Sequence, residues 1–209
     1  MKRAAVLFLL IGGLSSNAVQ AQWQHPPDIA VISSVGDARL GLVDEAVSFW
    51  NKTLQEVGSC FRLGPVTHLV QPVPEEALQS VRPIDERQPR AISIPPALRD
   101  SPGDITIFLA ASDFLSFTTV PLGPSSKRVI GIKGLEHPPL NMPNVARNVI
   151  AQSLGVAIGL RHNSDPRTLM CGRPAPCRPN IFRSNAARIF PLTNAQLREL
   201  RRMYPACIA

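Results

Sequence analysis

The side chains able to do chemistry gather late in the chain. Residues 150–172 read Ile-Ala-Gln-Ser-Leu-Gly-Val-Ala-Ile-Gly-Leu-Arg-His-Asn-Ser-Asp-Pro-Arg-Thr-Leu-Met-Cys-Gly. Three chemistries are open to such a stretch. A zinc centre needs three or four protein ligands, and His162 is the only histidine there; the others, His25, His68 and His137, are scattered along the chain. A serine nucleophile at Ser153 lacks the G-x-S-x-G elbow that would expose its hydroxyl. Thiol chemistry falls to Cys60, Cys171, Cys177 and Cys207. Their spacing lacks the paired C-x2-C hooks of a zinc site. If the chain is exported, an even count reads as two disulfides, with three possible pairings. The favoured pairs are Cys171–Cys177, closing a tight loop, and Cys60–Cys207, tying the C-terminus to the first half.

The same stretch resembles the active-site segment of the metzincin zinc peptidases, most closely their matrixin-like branch. That family carries H-E-x-x-H-x-x-G-x-x-H followed by a methionine turn. Gly159, His162 and Met170 set the frame, with Leu160 and Asn163 in the family's style. The first histidine position is then Gln152, the glutamate position Ser153 and the second histidine position Val156. The resemblance extends over most of residues 28–205. It takes in Trp50-Asn51 on a long first helix, the Asp104-Ile-Thr-Ile strand, and a final helix reading Leu192-Thr-x-x-Gln-Leu to Met203-Tyr204. It implies one metzincin-like domain over 22–209, an α+β fold with a twisted mixed sheet, a second helix that once held the active site, a methionine turn and a C-terminal helix.

The substitutions have chemical consequences. Histidines four apart on a helix point the same way and reach one ion. Gln152 and Val156 keep that spacing, but valine has no donor atom and an amide oxygen is a poor zinc ligand. His162 is the one retained ligand position. Without zinc, no bound water is brought near a pKa of about 7. Ser153 cannot act as the missing general base, because its hydroxyl does not titrate near neutrality. The resemblance therefore implies a pseudo-peptidase, with no catalytic residue and no cofactor expected. The enzyme alternative rebuilds zinc from His162 with His137, His68 or His25.

The elements that must position this segment are legible in the hydrophobic pattern. Residues 28–35 predict a strand, and an amphipathic helix from Asp37 to Val57 places Leu40, Val43, Val47, Trp50 and Leu54 on one face, with Gly58 to end it. Phe61–Leu63 and Val66–Val70 predict strand pieces. Residues 72–102, rich in proline and charge, predict a long surface excursion. Asp104–Ala110 and Arg128–Ile132 predict strands. A second helix runs from Pro143 to Val156, with proline in its first turn; Gly155 inside it implies close packing against a neighbour. Thr193 and Gln196 form a capping box for the last helix, with Leu192 and Leu197 as its hydrophobic staple and Pro205 as its stop.

Composition narrows the function class. The chain has 209 residues, 21 prolines and 5% aromatics. The aromatic share is thin for stacking on single-stranded bases, so nucleic acid is not favoured as a partner. Lys2-Arg3, an apolar run from Ala4 to Leu14 and Val19-Gln20-Ala21 have the three regions of a secretory signal. The run is too short for a membrane span of about 20 residues. Residues 1–21 are thus expected to be a signal peptide, and a secreted or periplasmic location follows. Its removal takes Lys2 and Arg3, lowering the formal charge of +7 to +5. That excess lies after Asn144, where ten arginines face only Asp165 and Glu199. Such a run reads as a solvated face or as a surface for an acidic partner.

Three functions are compatible with this reading. The first is a non-catalytic protein that holds an extended peptide or protein ligand in the remnant cleft. In the family, substrate lies along a sheet-edge strand beside that cleft, which is β-augmentation. The second is a zinc-dependent endopeptidase with unconventional ligands. The third is a structural envelope protein with a basic interaction face.

Overall fold

The computed structural model describes residues 23–81, 94–119, 127–172, 177 and 186–206. The expected signal peptide and Cys207 lie outside these. Five strands form one sheet: β1 (Ile29–Ser33), β2 (Val66–Val70), β3 (Ile105–Leu109), β4 (Phe117–Thr118) and β5 (Arg128–Ile132). Their spatial order is β2-β1-β3-β5-β4. The β1–β2, β1–β3 and β3–β5 pairs are parallel, while β4 runs antiparallel to β5 at one edge. The helices are α1 (Leu40–Glu56), α2 (Glu75–Ser80), α3 (Pro96–Arg99), α4 (Pro143–Ala157) and α5 (Asn194–Met203). The sheet is mixed but mostly parallel, and α4 and α5 follow all five strands.

The inner strands β1, β3 and β5 are buried at every position, as parallel strands covered on both faces must be. One face, with Val31, Ile107, Ile130 and Ile132, joins the main core with α1 and α4 through Trp50, Leu54, Ile150 and Leu154. The other face, with Ile32, Phe108 and Val129, is closed by Leu78, Val81 and Leu98. These last residues come from the proline-rich segment expected only to run over the surface. Its described ends fold into α2 and α3, and Leu78 and Leu98 are fully buried. The isolated leucines of so short a helix carry no periodicity from which burial could be read.

Two local features also differ from the pattern. Phe61–Leu63 does not pair as a strand. Instead Asn51 Oδ1 accepts from the Leu63 N–H at 2.8 Å, and Phe61 stacks on Tyr204 with ring centroids 4.1 Å apart. The two-residue β4 is too short to show alternation. The helix ends follow local chemistry: Gly58 takes φ +81° after α1, and Thr193 and Gln196 form the complete capping box of α5.

Candidate functional site

The segment from Gln152 to Cys177 is assembled by α4 and the turn that folds back beneath it. Trp50 of α1 donates its indole N–H to the Ala151 carbonyl at 2.8 Å. A Cβ on Gly155 would lie 2.6 Å from Trp50 Cζ2 and 2.7 Å from Met170 Sδ. Glycine at 155 therefore lets α4 sit on both side chains at once. The carbonyls left open at the C-terminal end of a helix need outside donors. Trp23 Nε1 supplies one to Ala157 at 3.0 Å and the Tyr204 hydroxyl another to Ile158 at 2.7 Å. Gly159, at φ +102°, then turns the chain off the helix, a backbone region open to glycine at little cost.

The turn itself is built around Asn163. Its N–H donates to the Met170 carbonyl at 2.8 Å, and its carbonyl accepts from the Gly172 N–H at 3.1 Å. Its side chain accepts from the Asp165 N–H at 2.9 Å and donates to Thr168 Oγ1 at 3.0 Å. Asn-Ser-Asp-Pro is a turn-forming run in which short polar side chains bond their own backbone, so this part was locally encoded. Met170 is fully buried under α4, and Cys171 is disulfide-bonded to Cys177 with Cα atoms 5.4 Å apart. Cys60 is also disulfide-bonded, and its expected partner Cys207 lies outside the described residues.

Gln152 occupies the gap between helix and turn. Its Nε2 donates to the Leu169 carbonyl at 2.9 Å and to the Cys171 carbonyl at 2.6 Å. Both neighbours are acceptors, which fixes the amide with its nitrogen toward the turn. One helical turn on, Val156 is half-buried against the main core. Ser153 is buried, and its carbonyl accepts from Thr118 Oγ1 of β4 at 3.3 Å. His162 is exposed and its imidazole lies over Gly172, where a Cβ would collide with the ring.

The remaining histidines are engaged elsewhere. His68 contacts Asp44 of α1, His137 the Ala111 carbonyl and His25 the Pro26 carbonyl. Among the described residues, no three His, Cys, Asp or Glu side chains gather where they could hold a metal ion. The donors at the three positions are an amide committed to two carbonyls, an alkyl group and one imidazole, and this set does not fit zinc.

Arg161 and Arg167 lie near His162 in sequence and are exposed, and Arg167 pairs with Asp165 at 3.9 Å. The Arg202 guanidinium, hydrogen-bonded to Glu199, holds that carboxyl below the usual carboxylate range, with further attraction from Arg161. Sequence reasoning did not find the Gln152 brace, the β4 contact through Thr118 or the capping by Trp23. Each is a contact between segments far apart in the chain.

Among the described residues no helix is long and apolar enough to cross a membrane. No protein-family model matches the chain, and no curated protein does. Among solved structures the chain is similar to the archaemetzincin of Methanopyrus kandleri, at 15% identity over 91% of this chain and 98% of that one, with a TM-score of 0.49.

Proposed function

We propose that the chain is an exported, peptidase-like protein of metzincin-like fold that holds an extended peptide or protein segment beside α4 without hydrolysing it. The observation that carries this reading is the state of Gln152. At the position where the family places its first ligand, the amide is spent on the Leu169 and Cys171 carbonyls. The helix and the turn are thus braced to each other by hydrogen bonds, and no metal is needed to hold them. The β4 edge touches the same turn of α4 through Thr118 and Ser153. Arg161 and Arg167 favour an acidic segment there.

The test is metal content together with turnover. Purified protein is expected to carry no stoichiometric zinc and to leave an unstructured protein uncut, and its peptide binding should be indifferent to chelator. One tightly held zinc per chain with chelator-sensitive cleavage would overturn the proposal. The triple variant Q152H/S153E/V156H restores the family's residues on one helix face. It is expected to bind zinc tightly; a folded variant that binds none means that the motif frame is wrong.

A further inference from the structure

The sheet has a second edge, far from α4 in strand order, and it is the less protected of the two. Among the described residues β2 pairs with β1 alone, in unbroken register from Ile29–Val66 to Ser33–Val70. Ile29 donates to the Pro65 carbonyl and Gln71 to the Ser33 carbonyl. In a parallel ladder, alternate residues of a strand face the same neighbour. Residues 65, 67, 69 and 71 therefore turn their backbone groups to β1, and Val66, His68 and Val70 turn theirs outward. At β4 the two-residue strand leaves only Thr118 facing out, since Phe117 and Thr119 bond toward β5.

Edge strands are commonly blunted by lysine, proline, a bulge or an inward charge. Residues 66–70, Val-Thr-His-Leu-Val, carry none of these devices. Val70 ends β2 and Val35 follows β1; at 62% and 84% exposed they are the two most exposed large apolar residues among those described. They line a cavity of about 460 Å³ with Val73, Glu75 and Leu109. That volume lies in the range of small-ligand and side-chain pockets. Charge selects the occupant. Asp44 stands on His68 at 3.1 Å, Glu75 lines the cavity, and no lysine or arginine occurs from Gly64 to Val81. A second copy laid edge to edge would bring these acidic groups toward their own kind, which is unfavourable.

We propose that the β2 edge is a docking site for an extended segment of a partner protein, apolar at alternate positions and basic between them. The segment adds a sixth strand through the N–H and C=O groups of Val66, His68 and Val70, and seats an apolar side chain in the Val35–Val70 cavity. This site is independent of the α4 cleft, and its partner has the opposite charge.

The probes are a seven-residue peptide alternating valine with lysine and the same peptide with glutamate for lysine, titrated against the full chain. The lysine peptide is expected to bind at least about tenfold more tightly than the glutamate peptide. H68P removes an N–H that serves no partner inside the sheet, a place where an edge strand tolerates proline. It should weaken the lysine peptide by about tenfold or more, while H68A, which keeps the N–H, should not. In the unsubstituted protein, amide exchange at Val66, His68 and Val70 should slow when the lysine peptide is added, a readout that does not depend on H68P folding. Equal binding of both peptides, unchanged exchange at these three amides, or full affinity in a folded H68P would overturn the proposal. A concentration-dependent dimer abolished by H68P would also overturn it, by assigning the edge to a second copy.

Discussion

Gln152 and Gly155 show how much two positions on one helix decide. Truncating Gln152 to alanine leaves the Leu169 and Cys171 carbonyls without their donor, at a cost of about 1–3 kcal/mol if they stay buried. Urea denaturation should show a lower midpoint with an unchanged slope. Gly155→Ala sets two effects against each other. Helix propensity favours alanine by about 1 kcal/mol, but the new methyl would lie 2.6 Å from Trp50 and 2.7 Å from Met170. Overpacking of that kind costs about 1–3 kcal/mol. Both neighbours are fully buried and have little room to retreat, so the variant is expected to be less stable by up to about 2 kcal/mol in the same measurement. The close approach at Gly155 was legible, because a glycine inside a helix needs a reason. The brace was not, because the carbonyls that Gln152 holds lie 17 and 19 residues further on.

At the scale of elements, legibility followed periodicity. α1 and α4 each carry several turns of apolar spacing and form close to where that spacing places them. The α5 start is written in four residues, since a capping box is a local exchange of hydrogen bonds. The back of the sheet is different. α2 and α3 have six and four residues, too few for a hydrophobic stripe. Yet Leu78 and Leu98 bury the face of a parallel sheet that would otherwise meet water. Leu98→Ala is therefore expected to cost about 2–5 kcal/mol, read by thermal or chemical unfolding. A leucine on a surface excursion would cost a fraction of that. Asn148 makes a similar long-range tie, donating to the Arg188 carbonyl at 3.0 Å and accepting from the Phe190 N–H at 2.9 Å.

At the scale of the whole molecule, the two ends of the described chain meet over the end of α4. Trp23 and Tyr204 cap its last carbonyls, and Arg128 lies 5.2 Å from the centroid of the Trp23 ring. Burial pushes the Tyr204 hydroxyl well above its ordinary value of 10.0. A folded-state pKa raised above the unfolded one stabilises the fold below the unfolded value, and that contribution is lost as pH rises through the folded value. Unfolding free energy is thus expected to fall as pH climbs above about 10. The difference between the unsubstituted protein and Tyr204→Phe should shrink over the same window. A difference independent of pH up to 11.5 would contradict this assignment, on the scale of about one pH unit and a half above the free phenol.

The sequence by itself determined what depends on neighbours a few residues apart. It placed the helix periods, the caps, the apolar strands and, in the frame of the motif that the chain resembles, Gln152, Ser153 and Val156 where two histidines and a glutamate would stand. The tertiary structure decided what depends on segments brought together from afar. It turned Gln152 into a brace, closed the back of the sheet with the proline-rich segment, and left β4 short and β2 paired on one side only among the described residues. The physical reason is that local preferences act through dihedrals and hydrogen bonds within a turn or two. Burial and pairing are settled only when the whole chain competes for the same surfaces.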